Sequence, residues 1–240
     1  MMARVFRRTS RALAVDETVF ATTTDPPDDA VAAYCESANL PYFRGSLYDV
    51  LERLYQAARR TEADVVVRVT ADCPLIDPGL IDNVVAAVLQ GGYDLACNRL
   101  PPPWHRTYPI GLDAEACTFA ALERARDEAQ APQHREHAMP YLYENVNLHA
   151  ENLTLETGTS PRGFRIALLH SGRELGAHRW TVDTAADLEF IRQIYKHFDG
   201  RDDFTWEEVL NLMHTRPELM EINAGVEHKT LKDIDERLLR

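Results

Sequence analysis

The sequence predicts an α/β fold in which a mostly parallel sheet is flanked by helices. The first two-thirds of the chain alternates segments rich in β-branched residues with amphipathic segments, as in strand–helix–strand crossovers. One of these segments, DVVVRV, is apolar almost throughout, which is typical of a strand buried on both faces. The chain has 240 residues, 45% of them hydrophobic, and so is long enough to bury a large core.

The first hundred residues predict four helices and four strands in alternation. The helices are expected at about 3–14, 28–38, 46–60 and 78–90. The strands are expected at 17–23, 41–45, 64–72 and 93–98. Ser46 and Asp49 form a capping-box pattern at the start of the third helix, and Gly91-Gly92 is a typical helix stop. The chain opens with a helix that feeds a strand, and in a doubly wound sheet such a helix normally follows another strand.

After an extended break at PPPW, residues 101–104, the alternation becomes less regular. Further helices are expected near 118–130, 134–145 and 184–198, with one more in the tail from Phe204. Further strands are expected near 108–117, 152–158, 165–170 and 178–183. Thr184 with Asp187 forms a second capping-box pattern.

The composition argues against several classes of protein. A net charge of −12 argues against binding nucleic acid by charge alone, and no apolar run approaches the length of a membrane span. Four widely spaced cysteines without a CxxC pair disfavour a zinc site or a disulfide framework and fit a reducing cytoplasm. The first fifteen residues carry four arginines and no acid, so in composition they resemble an organellar transit peptide. We favour a basic amphipathic helix instead, because the segment runs without a break into a strand pattern.

Three predicted strands end in an aspartate: Asp25, Asp72 and Asp183. Ligands of open α/β sheets lie beyond the carboxyl ends of the strands, where an acid can bind a divalent cation or a hydroxyl. Aspartate is also favoured at such corners for turn and capping reasons, and for any one of the three alone that interpretation is the stronger. The sequence has no GxGxxG or GxxxxGK[ST] phosphate loop, and the pair His134 and His137 lacks a third metal ligand.

Six segments in order resemble the spore-coat polysaccharide type of cytidylyltransferase, which belongs to the acylneuraminate and KDO cytidylyltransferase superfamily. They are ATTTDPPDD (21–29), FRGSLYDVLERL (43–54), VVVRVTADCPLIDP (65–78), YPIGLDAE (108–115), REHAMPYLYEN (135–145) and RWTVDTAADLEFI (179–191). The resemblance implies a Rossmann-like sheet of the GT-A-like nucleotidyltransferase type in a single domain, residues 1–240. It divides that domain into a nucleotide-binding half (1–100), a sugar-binding and dimerisation half (101–200) and a C-terminal helical tail (201–240).

The resemblance implies an enzyme that takes CTP and an acidic or modified sugar, forms a CMP-sugar and releases pyrophosphate. It implies Mg²⁺ at Asp72 and Asp183, which we therefore expect to lie close together at the carboxyl ends of strands. The residues that it assigns to the nucleotide are Arg44, Ser46, Arg53 and Thr70. Those that it assigns to the sugar pocket are Tyr108, His137 and Tyr141. It also implies a cytoplasmic homodimer with neither nucleic acid nor membrane as a partner.

One part of the family pattern has no match. The family normally begins with a strand and a basic, glycine-containing loop, QARMGSxRLPGK, which grips the phosphates of CTP; here the first residues match the helix that follows it. We therefore expect a sheet without its first strand, and little CTP-dependent activity from the 240 residues as given. A sheet with such a slot should not survive unchanged. Another segment or a partner chain fills it, the flanking strands close up, or the protein starts earlier, which we favour.

Two other functions are compatible with these residues. A degenerate, non-catalytic member of the family would bind a nucleotide or a partner, or would only oligomerise, and the missing loop is the feature that favours it. A glycosyltransferase on the same GT-A-like fold would use a ready-made nucleotide-sugar. It would need a DxD pair for its metal, and no clear DxD follows a predicted strand.

Overall fold

The computed structural model describes residues 1–226, and within them eight strands form two separate sheets. The smaller sheet pairs β1 (Phe20–Thr23) with β2 (Tyr42–Gly45) in parallel. The larger sheet has the order β3-β5-β4-β8-β7-β6. Its strands are β3 (Val65–Arg68), β4 (Leu95–Cys97), β5 (Glu115–Thr118), β6 (His149–Asn152), β7 (Leu155–Thr159) and β8 (Arg165–Leu169).

The strand directions make the larger sheet a mixed one. β5 is antiparallel to both of its neighbours, so β3 and β4 run in the same direction, and β8 is parallel to β4. β7 and β6 extend the far edge as an antiparallel hairpin. Residues 98–114 contain no helix, so the chain returns from β4 along its edge as β5 instead of crossing over. Parallel strands with helices around them confirm the predicted α/β class.

Nine α-helices surround the sheets in the described part of the chain. They are α1 (Met2–Thr9), α2 (Asp29–Ser37), α3 (Val50–Arg60), α4 (Pro78–Gly91), α5 (Phe119–Glu128), α6 (Pro132–His137), α7 (Pro140–Tyr143), α8 (Ala185–His197) and α9 (Trp206–Thr215). The helix expected at 134–145 is divided into α6 and α7, because Ala138 between them has a positive φ of 63°. None of the helices within residues 1–226 is long and apolar enough to cross a membrane. The expected tail continues to residue 240, and its part beyond residue 226 lies outside the described residues.

The start of α3 differs from the prediction. The helix begins at Val50, and Asp49 caps it by accepting a hydrogen bond from the backbone N–H of Glu52 at 2.9 Å. The predicted cap, Ser46, lies in the turn before the helix, where its hydroxyl accepts from the backbone of Tyr48 and Asp49, each at 3.2 Å. The capping box at Ser46 was therefore wrong, because its side chain stabilises the turn and not the first helical residues.

The segment predicted as a strand at 178–183 is not in either sheet. It makes a single bridge, from Arg179 to Ile110, and Trp180 donates its backbone N–H to the Ile110 carbonyl at 2.7 Å. The neighbouring Gly111 has a φ of 101°, and a Cβ there would lie 2.6 Å from the backbone nitrogen of Thr181. The residues of the alternating segment 178–183 thus form a contact between two loops. The predicted strand at 108–117 is shortened to Glu115–Thr118. The capping box at Thr184 is confirmed at the start of α8.

The basic N-terminal segment is a packed helix. Arg8 of α1 is fully buried, and its guanidinium donates to the carbonyls of Ile76 at 2.6 Å and of Asp202 and Phe204 at 3.0 Å. Arg4 pairs with the Asp202 carboxylate at 2.7 Å. The arginines of this segment therefore attach α1 to distant parts of the fold, as the amphipathic-helix interpretation requires.

Apolar side chains fill three regions around the sheets. One lies between α3, α5 and α7 and one face of the larger sheet. A second lies between α1, α4 and the opposite face, and successive strand residues alternate between the two regions. A third surrounds α8 and α9 and contains the buried Trp180 and Phe190.

A slot separates the two sheets, with a cavity of about 730 Å³ between β1 and β3. Its strand walls include residues 18–22 and 67–71, and its helix walls come from α1, α3 and α4. Within residues 1–226, β1 and β3 do not pair, so the flanking strands have not closed up. The slot lies beside α1.

Candidate functional site

The carboxyl ends of β1 and β3 converge on Arg53, a residue of α3. At the end of β1, Asp28 accepts hydrogen bonds from the hydroxyls of Thr23 at 2.6 Å and Thr22 at 3.0 Å. These bonds, that of Thr23 above all, lower the pKa of Asp28. Arg53 lies in the field of Asp28 and also in that of Arg68, at the end of β3. Both strands therefore end at the same edge of the molecule, which is the candidate site.

Arg44 of β2 crosses this edge next to the end of β1. Its Nε donates to the Thr23 carbonyl at 2.7 Å, and its Nη2 donates to the Asp29 carboxylate at 2.6 Å. About a quarter of the side chain is exposed. The described residues offer no acceptor to Nη1, so this nitrogen remains available to an anion at the edge.

Arg53 lies between the turn after β2 and the slot. One of its terminal nitrogens donates to the Ser46 carbonyl. Its Nε is buried without a hydrogen-bond partner among residues 1–226. Burial lowers the pKa of Arg53, because the charged form loses solvation. An oxygen acceptor at this position would therefore be stabilising.

Arg68 and Glu115 form an ion pair that the sequence analysis did not predict. They are register partners on β3 and β5, and Arg68 Nη1 lies 2.7 Å from Glu115 Oε2. Burial alone would lower the pKa of Arg68, but the Glu115 carboxylate outweighs it and raises the pKa. The pair places one charge of each sign at the edge. Arg68 and Glu115 come together only because of the register between β3 and β5, which the sequence did not predict.

The loop after β3 carries Thr70, Asp72 and Cys73. The Thr70 hydroxyl lies 3.1 Å from the Cys73 sulfur, and the Cys73 thiol donates to Asp72 Oδ1 at 3.4 Å. Burial, followed by the charge of Asp72, raises the pKa of Cys73 well above its usual range. Cys73 is therefore a neutral thiol that supports the half-buried Asp72, and not a nucleophile.

The loops that carry Asp72 and Asp183 are in contact although the two residues are far apart in the sequence. The Asp72 carbonyl accepts the backbone N–H of Val182 at 2.9 Å and the Thr181 hydroxyl at 3.3 Å. Residue 183 follows directly, so the two aspartates belong to adjoining loops. The backbones of the two loops are therefore in contact, whereas a cation shared by the two carboxylates stays a prediction. Asp183 follows an isolated bridge and not a strand of the sheet.

A buried network holds Asp183 in place. Its carboxylate accepts from Arg179 Nη2, and Arg179 Nε also donates to Asp187 at 2.9 Å. Asp187 is fully buried and accepts from Asn223 Nδ2 at 2.9 Å. Burial alone would raise the pKa of Asp187, but the hydrogen bonds from Arg179 and Asn223 outweigh it and hold the pKa well below its usual range. The side chain of Asp183 itself is 39% exposed.

The donor set at this edge fits a hard cation that also binds phosphate. Asp72 and Asp183 supply two carboxylates from adjoining loops. Residues 1–226 contain no group of three or more His, Cys, Asp or Glu side chains arranged to hold a metal. Mg²⁺ is commonly bound by one or two carboxylates together with phosphate oxygens and water. The residues therefore fit a cation that arrives with a nucleotide better than one that is held by protein alone.

The residues predicted for the sugar pocket are spread over different environments. Tyr108 is 7% exposed and lies in the core, with its ring 5.6 Å from that of Trp206. Tyr141 is also buried, and its hydroxyl donates to Glu128 at 2.7 Å. His137 ends α6 and is half-buried. Tyr108 is thus packed between helices. An aromatic ring before Pro109 suits the core as well as a ligand pocket, so the sequence did not distinguish the two positions.

A second ion pair near Asp72 also escaped the sequence analysis. Arg106 donates two hydrogen bonds to Asp113, one of them 2.9 Å long. Asp113 contributes to the raised pKa of Cys73 and therefore lies close to the loop of Asp72.

The family follows from a comparison with known proteins. The model of the family described as cytidylyltransferase matches residues 1–199. The chain belongs to the cytidylyltransferase family. This family member is 30% identical over 234 residues to an uncharacterised protein of Methanocaldococcus jannaschii, a match that covers 97% of this chain and 87% of the relative.

Two further relatives agree with the family. The spore coat polysaccharide biosynthesis protein SpsF of Bacillus subtilis is 27% identical over 206 residues, which is 85% of this chain and 77% of that protein. The structure of a cytidylyltransferase from Leptospira borgpetersenii superposes with a TM-score of 0.78 at 25% identity, covering 95% of this chain and 87% of that one. The cytidylyltransferase fold of this chain is thus confirmed over nearly its whole length.

Proposed function

We propose that the protein transfers CMP from CTP to a sugar or sugar acid and releases pyrophosphate. The observation that carries the proposal is the contact between the loops of Asp72 and Asp183, with Arg68 at the end of β3 in the field of Asp72, in a chain of the cytidylyltransferase family. Two carboxylates and several guanidinium groups at one edge suit a triphosphate with its divalent cation.

In the proposed reaction, a hydroxyl oxygen of the sugar attacks the α-phosphorus of CTP. The bond from the α-phosphorus to the bridging oxygen breaks, pyrophosphate leaves, and the hydroxyl proton passes to solvent. Mg²⁺, held by Asp72 and Asp183, would neutralise charge that develops on the phosphates. Nη1 of Arg44 and the guanidinium of Arg53 would orient the nucleotide, and Thr70 would contact it from the loop after β3.

Arg179 has a positioning role in this proposal. Its guanidinium binds the carboxylates of Asp183 and Asp187 at the same time. The exposed carboxylate of Asp183 is therefore held in place, through Arg179, by the buried carboxylate of Asp187. A fixed carboxylate loses little freedom when a cation binds to it, which is the advantage of a preorganised site.

The slot adjoins this site. Arg53 and Thr70, both assigned to the nucleotide, are among the residues that line it. Since a wall that is open on one side positions these residues poorly, we expect slow CMP transfer from residues 1–240 alone and faster transfer when the slot is filled.

A non-catalytic family member that binds a nucleotide or a partner is the second candidate. The open slot favours it, as does the engagement of Arg44 by Asp29 and of Arg53 by the Ser46 carbonyl. It predicts CTP binding without pyrophosphate release under any condition.

We also propose a cytoplasmic location and a homodimer. The four cysteines are all buried free thiols, which fits a reducing compartment, and CTP is a cytoplasmic substrate. The dimer and the single-domain division implied by the family resemblance stay predictions. Light scattering after gel filtration would measure the mass, and a monomer at micromolar concentration would contradict the dimer.

The test is release of pyrophosphate from CTP with Mg²⁺ and a panel of neutral sugars and sugar acids. UTP, ATP and GTP serve as controls for the base, and calcium in place of magnesium serves as a control for the metal. We expect release with CTP and at least one sugar. Release that is absent with every sugar, both with and without a strand supplied to the slot, would overturn the proposal in favour of the non-catalytic alternative.

A further inference from the structure

A segment that follows α9 returns to the candidate site. The chain leaves α9 through a short 3₁₀ helix, Pro217–Glu221, and continues into Ile222 and Asn223. Leu219 is 3% exposed, and Ile222 packs with it in the apolar region around α8 and α9. The segment 217–223 therefore docks on the helix that follows Asp183, although it lies beyond the residues that match the family model.

Asn223 is the residue of this segment that reaches the site. It is 6% exposed, and its Nδ2 donates to the Arg179 carbonyl at 3.0 Å and to Asp187 Oδ1 at 2.9 Å. A side-chain amide nitrogen carries two hydrogens, so it makes both bonds at once. Asn223 thus ties the backbone of one member of the buried network to the carboxylate of another.

The Asp187 carboxylate holds Asp183 by two routes. Its Oδ2 accepts the backbone N–H of Asp183 at 3.1 Å. The same oxygen accepts from Arg179 Nη2 at 3.1 Å, and this nitrogen also binds the Asp183 carboxylate. The backbone and the side chain of Asp183 therefore both depend on the orientation of one buried carboxylate.

Asn223 differs from the other partners of that carboxylate in where it comes from. Within residues 1–226, the other hydrogen-bond donors to Asp187 all belong to the segment 179–187; they are Arg179, Asp183 and Thr184. Without Asn223, Oδ1 keeps only the bond from Arg179 Nε among the described contacts. Since donors on both oxygens set the plane of a carboxylate, Asn223 fixes Asp187 from outside its own segment.

We propose that Asn223 is a positioning residue of the candidate site, which orients the Asp183 carboxylate for a divalent cation by holding Asp187. This inference rests on the proposed function, because it takes the cation at Asp72 and Asp183 from there. Groups that bind a metal ligand, and not the metal itself, are commonly worth about 10–100-fold in metal affinity or activity. The segment 217–223 then belongs to the site.

The first test uses the ligand-free protein. The amides of Asp183 and Thr184 donate to Asp187 Oδ2 at 3.1 and 3.0 Å. In Asn223→Ala we expect both to exchange at least about tenfold faster relative to the amides of β4, as read by NMR. The control is Val88→Ala, a buried position near the end of α4, where this ratio should not change. An unchanged ratio in Asn223→Ala would overturn the proposal, whether or not the protein binds CTP.

The second test measures binding of Mn²⁺ in the presence of CTP by electron paramagnetic resonance. We expect Asn223→Ala to weaken binding by about tenfold in the otherwise unmodified chain. In an Asp183→Asn background it should have no further effect, because no carboxylate remains to be oriented. An equal loss in both backgrounds would assign Asn223 a role in stability alone and would overturn the proposal.

The two tests separate this inference from the proposed function. No binding of Mn²⁺ with CTP to the unmodified chain would contradict the proposed function, and the exchange ratio would still decide whether Asn223 orients Asp183. If Asn223→Ala does not fold, Asn223→Ser replaces it in both tests. A single hydroxyl donates one bond, so it does not serve Arg179 and Asp187 at once, and the same changes are expected.

Discussion

Asp187 fixes Asp183 through the guanidinium that they share. It is fully buried and bound by Arg179 and Asn223, so its loss leaves the positive charge of Arg179 with fewer partners. We predict that Asp187→Asn lowers the free energy of unfolding at pH 7 by about 3 kcal/mol, the cost of breaking a buried ion pair. Urea denaturation of both proteins measures it, and a loss below about 1 kcal/mol would contradict the network as described.

The same network predicts a dependence of stability on pH. The pKa of Asp187 is lower in the folded protein than in the unfolded chain, whose carboxyl has a value of about 3.9. Its contribution to stability is therefore fully present above about pH 4 and is lost as the pH falls through the folded pKa. The difference in unfolding free energy between the unmodified chain and Asp187→Asn should shrink from pH 5 to pH 2. A difference that stays constant over this range would show that charge on Asp187 does not matter.

A substitution at Asp72 distinguishes a chemical role in the site from a contribution to the stability of the protein. It is half-buried, and its carboxylate accepts only a thiol hydrogen bond among the described residues. From the proposed reaction we predict that Asp72→Asn lowers the rate of CMP transfer by about 100-fold or more, because it would remove a carboxylate that is proposed to hold the cation, while the Tm changes little. The matched control is Asp127→Asn, an exposed carboxylate on α5. Equal rates for the two variants would remove Asp72 from the metal site.

For individual residues, the sequence predicted which side chains belong to the candidate site better than it predicted which residues pair with each other. The strand-end position of Asp72 and the family resemblance led to two aspartates whose loops are in contact. The ion pair of Arg68 with Glu115 was missed, because it depends on the register of two strands far apart in the sequence. Tyr108 shows the opposite problem, since sequence alone does not distinguish an aromatic ring in the core from one in a pocket.

The capping of α3 gives a prediction at the scale of one element. Asp49 accepts from the Glu52 N–H and also binds Arg135, with an Nε–Oδ2 distance of 3.0 Å. We predict that Asp49→Ala costs about 1 kcal/mol or somewhat more, that Asp49→Asn costs less because asparagine also caps, and that Ser46→Ala costs less than about 0.5 kcal/mol. Urea denaturation orders the three variants. A larger loss for Ser46→Ala than for Asp49→Ala would restore the cap that the sequence predicted.

Elements with a strong local signal were predicted well, and those defined by tertiary contacts were not. The capping box of α8 is complete in its own few residues, so Thr184 and Asp187 were sufficient. The segment 178–183 alternates like a strand, but the partners available to it are the loops at Ile110 and Asp72. β6 was missed because all four of its residues are exposed, and a strand without a buried face has no apolar alternation.

For the whole molecule, the slot predicts uneven protection of the larger sheet. β4 has hydrogen-bonded neighbours on both sides, β5 and β8, whereas among residues 1–226 β3 has β5 alone. We predict that amides of Val65–Arg68 exchange at least tenfold faster on average than those of Leu95–Cys97, because those that face the slot have no ladder partner. Hydrogen exchange read by NMR measures this. Equal protection of β3 and β4 would show that the slot is closed in solution.

The α/β class and the order of most elements follow from periodicity, because buried strands and amphipathic helices leave regular patterns in the sequence. The insertion of the antiparallel β5 does not follow from it, since the direction of a strand is set by the connection before it. The expectation of a missing strand came from the family resemblance, together with a helix that has no strand ahead of it, and it stays a prediction.

The central claim is that CMP is the group transferred. The most direct measurement follows the label from CTP carrying ³²P at the α-phosphate, with Mg²⁺ and the sugar panel, using the chain with a strand fused ahead of Met1 and the chain of residues 1–240. We predict that the label moves to a sugar-linked product, that unlabelled pyrophosphate forms in equal amount, and that the fused chain is the faster of the two. Label that remains in CTP for every sugar and both chains, or that appears only in free CMP, would contradict the claim.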